Sequence, residues 1–344
     1  MTGARLRGYA RLTLVVLCFA CPGGALYGVL TGGHFWLHDA LRGIITALCI
    51  SLSILVFEIA LATSARLAWL RQARFGVVLL ARTLVYLVLI LIGLEIGRVA
   101  VGDPGGSIFD FDASVKQNVL FSLGSSVVFN FVNQISRILG RGVLGSMVLG
   151  RYHRPRTEER LFLLVDMKDS TGIAERIGDL AFHNLLNEVF ATLADAVNAG
   201  GGDIHKFVGD EAIVVWPPKR GLRDGDCLLS FFAFTSQLAA DGEHYRRTYG
   251  LVPRFKGGAH IGTVIVGEMG STKQEIAYSG AALNTAARIE QATREFDKDL
   301  LVSDALLKRL GSLPPQLQAQ SVGRITLRGS AEAIELFVVT SSSC

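Results

Sequence analysis

The 344-residue chain is long enough for about two domains, and a mean hydropathy of +0.40 with 50% hydrophobic residues is too apolar for an ordinary soluble enzyme. A net charge of only +4 gives no global case for nucleic-acid binding. Cys18 and Cys21 form a C-x-x-C with no second pair or nearby histidine, and the five cysteines show no disulfide framework. Apolar character is concentrated in residues 1–145, while 150–344 have the mixed charge of a globular domain.

In chain order, four apolar stretches come first, at about 12–30, 43–63, 76–97 and 117–136. Each is near the roughly 20 residues a helix needs to cross a hydrocarbon core. The first follows Arg5, Arg7 and Arg11 like a signal peptide, but three further spans and no small-residue cleavage site favour a retained anchor. Cations cluster at the start, at Arg66, Arg71 and Arg74, and from Arg137 to Arg156, whereas the other two loops carry Asp39, Asp103, Asp110 and Asp112. The positive-inside rule then puts both termini in the cytoplasm, and the expectation is a multi-pass protein of the plasma (inner) membrane, held in the lipid bilayer. Arg82 lies near the cytoplasmic end of the third span, where its side chain can reach outward. Glu58, Glu95, Asn130, Asn133 and Gln134 read either as a ligand site or as interhelical hydrogen bonding. The signal, whether an unknown ligand or a protein partner, is not written in these residues.

The second half opens with "LFLLVDMKDSTGIAERIG", which predicts a buried strand ending at Asp166 and a helix starting at Asp169–Thr171. A carboxylate at a strand end beside free helix amides suits a metal that carries phosphates; alone it is equally an ordinary loop residue. "GGGDIHKFVGDEAIVVW" predicts strands at about 203–208 and 211–216 around a tight Gly209-Asp210 turn, with Trp216 ending a core strand. If the first strand lies beside this hairpin, Asp166 and Asp210 can face one point. "EIAYSGAALNTAARIEQAT" predicts a helix from near Ala281 with Asn284 and Arg288 on one face. Such a pair can bind ribose and a phosphoryl group, or simply face solvent. His183, His205, His244 and His260 have no metal-ligand spacing and read as structural or surface groups.

Together, "FLLVDMKDST", "GGDIHKFVGDEAIVVW", "GAHIGTVIVGEMG" and "YSGAALNTAARIE" resemble the catalytic domain of class III nucleotidyl cyclases, in the family's order and across roughly residues 158–340. The resemblance implies an α+β, ferredoxin-like (palm-type) domain following an α-helical transmembrane domain of four helices. The expected division is 1–140 membrane, 141–158 cytoplasmic linker and 159–344 catalytic. It implies an adenylate cyclase acting on ATP as a homodimer, with two Mg2+ or Mn2+ ions per active site. Asp166 and Asp210 would bind metal, with the Met167 carbonyl; Lys168, Ser170 and Thr171 would cradle phosphate; Lys206 would contact adenine. Asn284 and Arg288 would orient ribose and stabilise the transition state, and Arg328 would hold the triphosphate.

Two positions depart from the pattern. Ala277 stands where the family reads the purine amino group, with Tyr278 or Ser279 as substitutes, and Ala281 stands where an aspartate is usual. The alternatives are a catalytically silent cyclase-like receptor, or a cyclase with relaxed or guanine purine selectivity. A diguanylate cyclase fits less well, since "GDEA" has only one of that turn's two glycines.

Overall fold

The structure, a computed structural model, describes residues 18, 20–30, 36–63, 75–100, 113–139, 143–272, 274–326 and 333–342. Its contacts divide the chain into two compact units, Met1–Ile138 and Leu139–Cys344.

The first unit contains α1 (Ala20–Leu30), α2 (Trp36–Thr63), α3 (Phe75–Ala100) and α4 (Ala113–Leu139). Where four spans are expected, the described residues contain two helices long and apolar enough to cross a membrane, over Asp39–Leu61 in α2 and Gly76–Ile96 in α3. α4 is 27 residues long, but its apolar stretch is only Val119–Val132. Lys116, Gln117 and Asn118 precede that stretch, and Asn133, Gln134 and Arg137 follow it. The expected first span is described only from Ala20 to Leu30 as an apolar helix, its start lying outside the described residues.

Arg82 does not reach outward. It is 5% exposed, with Nη2 3.4 Å from Glu58 Oε2, and the Tyr86 hydroxyl donates to Glu58 Oε1 at 2.6 Å. A carboxylate and a guanidinium in apolar surroundings neutralise each other, which explains why α2 and α3 hold them against one another rather than in the open. The buried Asn130 belongs to α4; the side chains of Asn133 and Gln134 lie outside those described.

The second unit begins with α5 (Val143–Val148), then β1 (Arg156–Met167), α6 (Ser170–Ile177), α7 (Asp179–Ala199), β2 (Asp203–Val208) and β3 (Glu211–Trp216). Next come α8 (Asp226–Ala240), α9 (Gly242–Tyr249), β4 (Phe255–Met269), β5 (Glu275–Ser279) and α10 (Ala281–Phe296). It ends with β6 (Leu300–Ser303), α11 (Asp304–Leu310), β7 (Leu317–Thr326) and β8 (Ala333–Ser341).

The sheet order is β2-β3-β1-β4-β6-β8-β7, with β5 paired to β4. β4 and β6 pair in parallel, and the other pairs are antiparallel. Its first four strands, built by a β-α-β-β-α-β run, have the ferredoxin-like arrangement. The remaining strands extend it.

β1 is apolar without alternation because both faces are covered. Leu161, Leu163 and Val165 pack with Leu185, Val189 and Leu193 of α7 and with Phe231 and Phe234 of α8. Phe162 and Leu164 pack with Ala282 and Ala286 of α10 on the other face. Trp216 ends β3 fully buried, its indole N–H donating to the Gly200 carbonyl at 3.0 Å. α10 approaches β4 backbone to backbone at Gly258, where a Cβ would lie 2.2 Å from the Glu290 nitrogen. Tyr152, before β1, is buried in the α10-side core, and its carbonyl accepts from the Glu268 N–H at 3.0 Å.

Candidate active site

Alternation along β1 turns Asp166 toward α10. It is 7% exposed, and its Oδ2 lies 2.8 Å from Lys256 Nζ and 3.3 Å from Arg294 Nη2. Lys256 stands opposite Asp166 in the β1–β4 register, is itself buried, and also bonds Glu290 Oε1. Glu211 faces Asp166 across the β1–β3 register. Its carboxyl is pushed up to about 7 by burial first, and then by the negative charge of Glu290, Asp166 and Asp210, with Lys256 opposing. Burial also raises Glu290, against the pull of the Lys256 ammonium.

Asp210 reaches this end of the sheet through the hairpin. Gly209, at φ +62°, supplies the left-handed turn between β2 and β3, and Asp210 immediately precedes Glu211. β1 therefore does lie beside the hairpin, through β3. Among the described residues no group of three or more His, Cys, Asp or Glu is arranged to hold a metal. The donors are nonetheless the hard oxygens that Mg2+ or Mn2+ takes. Carboxylates gather at this sheet end, and Asp166 there already draws two cationic side chains.

Beside it, a cleft of about 410 Å³ is lined by Met167, Lys168, Asp169, Ser170, Thr171, Lys256, Thr293, Arg294 and Asp297. Its floor is the β1–α6 turn. The Lys168 N–H donates to the Arg254 carbonyl at 2.8 Å, and its ammonium lies 2.6 Å from Asp299 Oδ1. The Met167 side chain is buried in the core. α6 begins at Ser170 as expected, but Asp169 makes no side-chain cap. Its left-handed backbone, φ 57°, lays the carboxylate against Gly172, where a Cβ would lie 2.6 Å from Asp169 Oδ1. The first amides of α6 are thus not taken by that side chain.

The other expected residues are not gathered at Asp166. Lys206, exposed on β2, has its ammonium 3.6 Å from Glu275 Oε1 on β5. Tyr278 is engaged edge-on between Phe162 at 5.6 Å and His205 at 4.8 Å, which leaves Ser279 as the exposed neighbour of Ala277. Asn284 is exposed and Arg288 partly buried on α10. At 100° per residue, Arg288 points about 160° around the helix from Glu290. Asn284 lies about 120° from Glu290 and about 80° from Arg294, so the pair is offset from the α10 side chains around Asp166 without all of it lying opposite them. Arg328 lies outside the described residues. His244 is 3.0 Å from Glu188, and His260 Nδ1 is 2.8 Å from Ser303 Oγ, consistent with structural or surface roles.

Lys256, Glu290, Arg294 and Glu211 were not singled out in the sequence. A signal for Glu290 was present: it continues the i, i+4 row of Ala282 and Ala286, an apolar stripe in which a carboxylate needs a partner.

The model of the "Adenylate and Guanylate cyclase catalytic domain" family matches residues 154–341, and the chain belongs to that class III family. "Adenylate cyclase 2" of Rhizobium meliloti (strain 1021) is 37% identical over 227 residues, covering 66% of this chain and 62% of that protein. "Adenylate cyclase" of Anabaena cylindrica is 27% identical over 193 residues, covering 53% of this chain and 37% of that protein. The chain thus spans less than two thirds of the length of these relatives. A solved bacterial light-regulated adenylyl cyclase has the same fold, with a TM-score of 0.56 at 20% identity and 68% of each chain covered.

Proposed function

We propose that the protein is a membrane-bound adenylate cyclase that converts ATP to 3′,5′-cyclic AMP and pyrophosphate at sites shared by two copies of the chain. The observation that carries this reading is the convergence of Asp166, the Asp210 hairpin and a cation-lined cleft at one end of β1. The similarity to two adenylate cyclases supports ATP as the substrate.

In the reaction the ribose 3′-oxygen bonds to the α-phosphorus, the bond to the β-phosphate oxygen breaks, and the hydroxyl proton passes to solvent. Asp166, Asp210 and the Met167 carbonyl would hold two Mg2+ or Mn2+ ions, which when bound acidify the 3′-hydroxyl and offset triphosphate charge. Ser170 and Thr171 place backbone amides at the start of α6, where phosphate oxygens are favoured, and Lys168, whose own N–H is taken by the Arg254 carbonyl, would serve phosphate through its ammonium. Lys256 and Arg294 add positive charge to the cleft wall. Asn284 and Arg288 come from the second copy, orienting ribose and meeting the charge that develops on phosphorus. Lys206 of that copy contacts adenine, and Arg328 serves the triphosphate.

The three-part division into 1–140, 141–158 and 159–344 belongs to this reading, as does a plasma-membrane location with cytoplasmic termini. A membrane unit holding two chains close would raise the effective concentration for pairing. Ala277 supports a second reading in which purine selectivity is relaxed, because no polar side chain at that position reads the exocyclic group.

The test is product identification by mass spectrometry from purified full-length protein given Mn2+ and equimolar ATP and GTP. Cyclic AMP and pyrophosphate as main products are expected, and Asp166→Asn or Asp210→Asn should lower turnover on the order of 100-fold or more. Cyclic GMP as the main product contradicts the ATP assignment, and no product contradicts the enzymatic one.

A further inference from the structure

Lys256 is shared between two buried carboxylates. Its ammonium lies 2.8 Å from Asp166 Oδ2 and bonds Glu290 Oε1, while both Lys256 and Glu290 are 3% exposed. Lys256 also lines the cleft. The second contact to Asp166, from Arg294, comes from a side chain 72% exposed and free to swing into water.

These distances create a competition. A buried ammonium within hydrogen-bond distance of Asp166 Oδ2 opposes the arrival of a divalent cation there, because like charges at that range repel and little solvent screens them. Arg294 can leave by moving to solvent. Lys256 cannot, since strand β4 and helix α10 enclose it, the latter drawn in at Gly258. Its other carboxylate partner among the described residues is Glu290.

We infer that Glu290 is a positioning residue that retains the Lys256 ammonium at the cleft wall when a divalent cation takes Asp166. This rests on the proposed metal role of Asp166. Glu290 then does two things through one contact. It lowers the cost of clearing Asp166, and it leaves the displaced ammonium facing the space where phosphate oxygens arrive. With an uncharged residue at 290, Asp166 is the one carboxylate left in ion-pair contact with Lys256 among the described residues, and Lys256 competes with the metal at full strength.

The test is Mn2+ binding to purified full-length protein without nucleotide, read from the electron paramagnetic resonance signal of free Mn2+. Glu290→Gln, which keeps the side-chain volume, should raise the Mn2+ concentration at half occupancy about tenfold, as expected for losing a charged hydrogen bond. Glu290→Asp should restore most of that affinity. Lys256→Met should bind Mn2+ more tightly than wild type while losing turnover. In the Lys256→Met background, Glu290→Gln should then have far less effect than it has alone.

Equal losses from Glu290→Gln with and without Lys256 would overturn the inference, reducing Glu290 to a diffuse source of negative charge. So would wild-type Mn2+ affinity in Glu290→Gln. If wild-type protein binds no Mn2+ and makes no cyclic nucleotide, the proposed function itself fails, a result distinct from either of these.

Discussion

Asp166 on β1 and His260 on the adjacent β4 show how two enclosed polar side chains of one sheet acquire different electrostatic surroundings. Asp166 is buried but bound by cations, so its charge is matched locally. His260, on β4, is also largely enclosed, yet its close partner is the neutral Ser303 hydroxyl. Burial therefore pushes the His260 imidazole down to about 4 from an ordinary 6.5, opposed only by Asp304. The unfolded chain takes up a proton near pH 6.5, and the folded chain resists until about 4. Stability from this group is thus full above pH 6.5 and falls as pH drops toward 4. In urea titrations followed by tryptophan fluorescence, His260→Asn should flatten that part of the pH dependence. An unchanged slope between the two pH values would show that His260 protonates freely in the fold.

Gly258 makes the corresponding case for an element. A side chain there would meet the backbone of α10 rather than a movable side-chain tip. Gly258→Ala should therefore push α10 off the sheet and cost about 1–3 kcal/mol, measured as a lower unfolding midpoint, together with loss of the Lys256–Glu290 contact. Wild-type stability would mean that α10 sits less tightly than the geometry states. The elements themselves were largely legible. The apolar run before Asp166, the Gly209-Asp210 turn and the alanine-rich helix at 281 all follow from local pattern, because turn chemistry and helix propensity act over a few residues. The charge cluster was not legible. Lys256 and Glu290 are 34 residues apart and meet because α10 is laid across β4, while the β1–β4 pairing brings Asp166 to the same ammonium. In the membrane half, four apolar stretches stood out by composition, but polar residues at both ends of α4 shorten its apolar run, and the Glu58–Arg82 pairing needed α2 and α3 side by side.

In the proposed function, catalysis is divided between two copies of the chain. The Asp166 cluster meets α10 at Arg294, with Glu290 beside it through Lys256, and helical geometry sets Arg288 about 160° and Asn284 about 120° around the helix from Glu290. If catalysis needs both sets, each active site draws the aspartates from one copy and the amide and guanidinium from the other. Disabling one set in each of two chains then leaves a heterodimer with one intact site. The direct measurement is cyclic AMP formation by an equimolar mixture of Asp166→Ala and Arg288→Ala proteins, co-expressed so that they pair at random. Each variant alone should be nearly inactive, and the mixture should recover about a quarter of wild-type activity, since half the dimers carry one working site of two. No recovery above the single variants, with mixed dimers shown to form, would contradict the shared site.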